Sequence, residues 1–341
     1  MKERTKLQLF AGLAAGLIVG GGAVLMQETR RRQLALARQA PALTEHAVRS
    51  LGIEAHRVYI RGAHVTLHAV VAGPQDAPLA LLLHGFPECW HAWQHQIPAL
   101  VRMGYRVIAP DQRGYNLSEK PADVTDYSTG WLVADARALI RGMGHERAVV
   151  IGHDWGGVVA WRLAMNAPEM VTRLVVMNAP HPRAYRRELR RNPDQRRKSW
   201  YVAAFQIPWL PETLLSRAAP EAARAFFRKT TARRDAFSAA DLAILTAAMA
   251  QPGAMRAAIN WYRAATHRGY RSAADVITTP TLLIWGEDDV ALDIALTHDL
   301  TPWVPNLQLH TIPNCGHWVQ NEAPEEVNAR LLTFLSPPSP R

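Results

Sequence analysis

Cysteine is almost missing from this chain. Cys89 and Cys315 are its only two among 341 residues. That excludes a disulfide framework, and no CxxC spacing is present to hold a metal. Both read as small buried hydrophobes. Internal repeats, low-complexity tracts and nucleic-acid reading motifs are missing too, so the formal charge of +10 does not mark a nucleic-acid binder. The basic excess has two addresses. One is the N-terminal arm, with Lys2, Arg4, Lys6, Arg30, Arg31 and Arg32. The other runs mid-chain from Arg183 through Arg186, Arg187, Arg190, Arg191, Arg196, Arg197 and Lys198. The mid-chain run reads as a solvated helix face, with anionic lipid headgroups as its alternative neighbour.

What is there begins with an almost unbroken apolar stretch, Leu7 to Met26. A membrane-spanning helix needs about 20 such residues. The expectation is a single-pass N-terminal anchor, with a cleaved signal peptide as the alternative. Gly12, Gly16 and Gly20 share one face of that helix, a weak helix-pairing signal. Basic residues on both flanks leave its orientation open. Residues 27–52 read as a polar, partly helical connector.

Short apolar runs then alternate with helical patterns. Val58–Ile60 and His64–Ala72 read as an opening pair of strands. Leu79–Leu83, Tyr105–Ala109, Ala148–Ile151, Leu174–Met177, Thr281–Trp285 and Leu307–Ile312 follow. Continuous apolar strands separated by helices predict an α/β fold, a mostly parallel sheet with helices on both faces. Between about Arg183 and Ser272 the strand signal vanishes and the pattern turns helical, as expected of a cap inserted between two sheet strands. The predicted organisation is 1–50 anchor and connector, 51–182 core, 183–272 helical cap and 273–341 core.

In such sheets the ligand site lies beyond the carboxyl ends of the strands. His84, Asp111, Asp154, Asn178 and Asp289 all stand there. The run Gly152-His153-Asp154-Trp155-Gly156 has the form of a nucleophile elbow, with small residues where the turn is sharp. Its centre is an aspartate. A carboxylate with an ordinary pKa of about 3.9 needs no base to be a nucleophile. It attacks acyl groups poorly and displaces leaving groups from saturated carbon well, so epoxides or haloalkanes are the expected electrophiles. Asp289 follows one later strand and His317 another, in the order nucleophile, acid, histidine. His317 is the candidate base for water and Asp289 its orienter; Asp288, one residue away, is less favoured by register. The backbone N–H groups of Phe86 and Trp155 are the candidate oxyanion donors.

The stretches HGFPE (84–88), DQRGYNLSEKP (111–121), GHDWGG (152–157), WYVAAFQIP (200–208), INWYR (259–263), WGEDD (285–289) and CGHW (315–318) occur in this order. Together they make the chain resemble the epoxide hydrolase family of the α/β-hydrolase fold over nearly everything after residue 55. The resemblance implies that two cap tyrosines, Tyr201 and Tyr262, hold and protonate the epoxide oxygen. Neutral phenols, with pKa about 10, suit that role because an alkoxide leaves only with a proton. It implies no cofactor and no metal. Trp200, Phe205, Trp209 and Trp261 give the cap its aromatic character and are expected near a small lipophilic substrate, whether a fatty-acid, terpenoid or xenobiotic epoxide. Two other readings remain at this point. One is a haloalkane or haloacid dehalogenase, which needs halide donors rather than tyrosines. The other is a non-catalytic, membrane-tethered binding protein. Oligomeric state is not legible.

Overall fold

The computed structural model describes residues 22–217, 220–266 and 276–336. Residues 7–21 of the apolar run therefore lie outside the described residues. Among the described residues, no single helix is long and apolar enough to cross a membrane.

Eight strands form one sheet: β1 (Ala55–Arg61), β2 (Thr66–Ala72), β3 (Leu79–Leu83), β4 (Arg106–Pro110), β5 (Ala148–His153), β6 (Val171–Met177), β7 (Thr281–Gly286) and β8 (Leu307–Ile312). Their order is β1-β2-β4-β3-β5-β6-β7-β8. β2 pairs antiparallel with β1 and β4, and the other neighbours are parallel. The expected second strand began at His64. That residue instead sits in a turn at φ 67, and pairing starts at Thr66.

Alternation along each strand sends side chains to opposite faces, and both faces are covered. Leu79, Leu81 and Leu83 join one core with the helices Thr129–Gly142 and Trp155–Asn166. Ala80 and Leu82 join the other, with Gln96–Arg102 and Pro324–Leu335. This is why the strand sequences are continuously apolar rather than alternating.

The described helices between β6 and β7 run from Pro182–Arg191 to Ala254–Thr266. Two latches seat them on the sheet edge. Asp241, in the capping box of helix Ala239–Met249, accepts hydrogen bonds from His91 Nε2 at 2.8 Å and Gln94 Nε2 at 2.9 Å. Trp261 donates its indole N–H to the Arg113 carbonyl at 3.0 Å.

Two expectations need correction. The connector is one helix, Gly22–Arg49, that packs on helix Ala239–Met249 and on β1. Ala37, Ala40, Thr44, Ala47 and Val48 are its buried stripe, at the three- and four-residue spacing of a packed helix face. The small side chains allow close approach. The mid-chain basic run, in turn, is only partly a solvated face. Arg187 pairs with Glu188 and donates to the Ala295 and His298 carbonyls. Lys198 donates to the Asp289 carbonyl at 2.8 Å.

Candidate active site

β5 ends at His153, and helix Trp155–Asn166 starts one residue after Asp154. The aspartate carries the whole reversal, at φ 49 and ψ −120, backbone angles that few non-glycine residues adopt. The turn requires bare backbone next to it. A Cβ on Gly156 would lie 2.0 Å from the Leu83 carbonyl oxygen, and one on Gly85 would lie 2.5 Å from Asp154 Cβ. The strand-to-helix bend therefore drives the carboxylate into the space above the sheet edge.

The Phe86 N–H donates to Asp154 Oδ1 at 2.9 Å. The other oxygen, Oδ2, lies 3.6 Å from His317 Nε2. Trp155 heads its helix, so its N–H belongs to the first turn, where no intrahelical carbonyl accepts it. The other imidazole nitrogen, His317 Nδ1, is 2.7 Å from Asp289 Oδ2. Asp289 is fully buried and well satisfied. Ala291 and Leu292 donate backbone N–H groups to Oδ1 at 2.7 and 2.9 Å, and Asn178 Nδ2 donates to Oδ2 at 2.7 Å. Burial alone would raise the Asp289 pKa, but the neighbouring imidazole and these donors hold it below the usual carboxylate range. Burial likewise pulls His317 down, and the charges of Asp289 and Asp154 overcome it, lifting the imidazole to about 9. Asp288 stands one residue outside this set, and its N–H donates to the Cys315 carbonyl.

Above the carboxylate, the cap supplies aromatic rings. Tyr262 meets Trp155 edge-on at 4.9 Å and Phe86 at 5.3 Å, and it lies 5.8 Å from Tyr201. Phe205 contacts Phe86, Tyr201 and Tyr262. Burial raises both phenol pKa values well above 10, with the Asp154 charge adding to it. Both hydroxyls thus keep their protons across the physiological range and stay donors. Trp261 is buried, edge-on to Trp155 and Tyr115. Trp200 is 45% exposed, and Trp209 is 81% exposed. The structure thus brings Phe86, Asp154, Trp155, Tyr201, Phe205, Trp261, Tyr262, Asp289 and His317 together. It turns Trp209 away.

Beneath the elbow lies a layer that motif spacing did not single out. His153, next to the nucleophile, bonds through Nε2 to the His317 carbonyl at 2.8 Å and through Nδ1 to Glu88 Oε2 at 2.9 Å. A carbonyl only accepts, so Nε2 carries a proton. Gln320 donates to Glu88 Oε1 at 3.1 Å. Glu322 accepts from Gly316 N and Trp318 N, on either side of His317. Glu88 and His153 sat in quoted motifs without a role; Glu322 was not marked at all. Of the other strand-end polar residues, His84 and Asp111 are fully buried. His84 Nε2 accepts from Gln112 N, and Asp111 binds His68, so both are wall and not site. Cys89 and Cys315 are free and buried.

The alpha/beta hydrolase fold family matches residues 78–324. The AB hydrolase superfamily protein YfhM of Bacillus subtilis (strain 168) is 41% identical over 271 residues, 80% of this chain and 94% of that protein. Epoxide hydrolase 1 of Caenorhabditis elegans is 38% identical over 282 residues, 82% of this chain and 70% of its own length. Among solved structures, the Bacillus megaterium epoxide hydrolase in complex with an inhibitor superimposes with a TM-score of 0.75 at 30% identity, covering 82% of this chain and 99% of that one.

Proposed function

The chain belongs to the α/β-hydrolase fold family, in its epoxide hydrolase branch, and from that premise we propose that it opens an epoxide through a covalent ester on Asp154. Its product is a vicinal diol. Asp154 Oδ2 attacks one ring carbon and the C–O bond breaks. The released oxygen takes a proton from Tyr201 or Tyr262. In the ester, Oδ1 remains at the Phe86 N–H, where a tetrahedral oxyanion would form. Water attacks the ester carbon as His317 takes one of its protons, and Oδ1 collects the negative charge. On collapse the departing alkoxide takes the proton left on the new carboxyl group, and the imidazolium proton restores the tyrosine, which frees the diol and the carboxylate.

The observation that carries this reading is the pairing of two cap tyrosines, Tyr201 and Tyr262, with Tyr262 packed on Phe86 and Trp155, the first of which holds the Asp154 carboxylate and the second of which follows it in the chain. A halide leaves as a stable anion and needs no proton, so the dehalogenase alternative gives those phenols no task. His317 also fits its step. The Asp154 charge is among the causes that lift it to about 9. Ester formation removes that charge, so the imidazole becomes easier to deprotonate when a neutral base is required.

A single turnover in heavy-oxygen water tests the mechanism. Label is expected in the Asp154 carboxylate and not in the first diol released. Label appearing only in that diol would mean direct hydration and would sink the covalent route.

A further inference from the structure

Residues 206–210 join the cap helix that carries Tyr201 to the helix Leu210–Arg217, and their side chains are unusually apolar for an outer loop. Ile207 is 47% exposed, Trp209 81% and Leu210 49%. Trp209 also holds a left-handed φ of 59, a conformation costly for a bulky residue. Nothing among the described residues covers this tip. Water is a poor neighbour for three adjacent large hydrophobes, and such patches mark contact surfaces.

Four backbone carbonyls beneath the tip are occupied. Arg263 donates Nε to the Phe205 carbonyl at 3.0 Å and Nη2 to the Ile207 carbonyl at 2.8 Å, and its charge is met by Glu212. The Pro208 and Trp209 carbonyls accept from Leu210 N and Thr213 N at 2.7 and 2.9 Å. A loop with these four carbonyls occupied, beside an arginine whose charge is paired, meets an apolar medium at a lower cost than a bare one. A tryptophan at its apex is the residue type that favours the bilayer interface.

The neighbouring element points to the same medium. Helix Gly22–Arg49 packs against Leu210–Arg217. In the sequence it is preceded by, and begins within, the apolar run Leu7–Met26, and its exposed Arg30, Arg31 and Arg32 follow after Gln27, Glu28 and Thr29. Apolar residues followed by arginines match a bilayer with anionic headgroups.

We propose that the Ile207–Leu210 loop is a bilayer-docking tip that seats the cap on a phospholipid surface with Trp209 at headgroup depth. The tip is tied to the reactive groups: Gln206 donates to the Tyr262 carbonyl at 3.3 Å, and Phe205 packs on both tyrosines. Docking places the cap beside lipid-dissolved epoxides, a substrate class that rests on the epoxide hydrolase reading.

The test uses the full chain. Cys89 and Cys315 are both completely buried, so a fluorophore on Trp209→Cys reports that site alone. A fluorophore on Asp76→Cys, in the exposed turn before β3, serves as the control. With vesicles of phosphatidylcholine and phosphatidylserine, a lipid-borne nitroxide is expected to quench the label at 209 several-fold more than the label at 76. Equal, weak quenching by the nitroxide, with both labels open to aqueous iodide, would overturn the docking. Shielding of the 209 label without vesicles, accompanied by self-association, would overturn it in favour of a second copy. The double variant Trp209→Ser, Leu210→Ser is expected to lose several-fold in rate on a vesicle-borne epoxide and nothing on the same epoxide dissolved in water. Equal loss on both would overturn the entry role. The quenching result stands whatever the protein turns over, so a failed docking and a failed enzymatic reading are distinguishable.

Discussion

The sheet edge and the cap hold their reactive groups by different forces. At the sheet edge, Asp154, Asp289 and His317 stand on loops fixed by backbone hydrogen bonds. Phe86 N holds the first, Ala291 N and Leu292 N the second, and the His317 carbonyl is tied to His153. In the cap, Tyr201 and Tyr262 stand on helices and are positioned by ring packing among Phe86, Trp155 and Phe205. Hydrogen-bonded backbone gives direction to within narrow limits, which suits a nucleophile and a base. Edge-on aromatic packing is less directional, which suits groups that must meet substrates of varied shape. The difference teaches that the carboxylates and imidazole are fixed by the sheet-edge backbone and the phenols by ring packing in the cap, and it can be challenged from both sides.

The largest effect is expected at the elbow. Gly156→Ala forces a methyl onto the Leu83 carbonyl. A cost above about 4 kcal/mol is expected, against a typical total stability of about 5–15 kcal/mol. Little or no folded protein should be recovered by circular dichroism or size-exclusion chromatography. A well-folded, active Gly156→Ala would break the claim that the sheet edge is rigid.

Next comes His317→Gln. Diol release should fall by about 10²–10⁴-fold, the usual contribution of a general base, while alkylation of Asp154 continues. Mass spectrometry of the intact protein should show an adduct equal to the epoxide. A large rate loss with no adduct would move His317 out of the second step.

The tyrosines should show partial redundancy. Tyr201→Phe or Tyr262→Phe alone removes one donor to a developing charge, a loss of about ten- to a hundredfold. The double variant should lose ring opening altogether in a single-turnover assay. Near-wild-type rates in the double variant would remove proton donation from the cap.

The smallest effect is one of stability against pH. His317 is raised from an unfolded value near 6.5 to about 9 in the folded chain. Its contribution is therefore fully present below pH 6.5 and is lost as pH rises through about 9. Between those values the melting temperature of the wild type should fall relative to His317→Gln. Parallel curves would mean that the imidazole is not held by its two carboxylates.

Much of this was legible in the sequence because it is local. Strands β3, β5, β7 and β8 each read as one apolar run. The elbow needs only glycines on either side of one aspartate, a requirement met within five residues. Asp289 and His317 follow from standing just past strand ends. The cap tyrosines were not legible in that way. No spacing distinguishes Tyr201 from Tyr185, and they came only through family resemblance. The Glu88–His153 pair escaped, and Asn178 stood at a strand end without its partner Asp289 being readable, because each pairing joins residues far apart in the chain and leaves no periodic trace.

By itself, the amino-acid sequence determined the sheet, the helical stretch between two of its strands and the aspartate at the centre of the elbow, since each depends on neighbours a few residues apart. Tertiary structure alone decided which polar residues became wall and which became site, and that Trp209 faces outward while Trp261 faces in. It also decided that the partly helical connector is one helix packed on Ala239–Met249. The reason is that burial and hydrogen-bond partnership belong to the packed chain and not to any residue, and two tryptophans of identical chemistry are told apart only by what surrounds them.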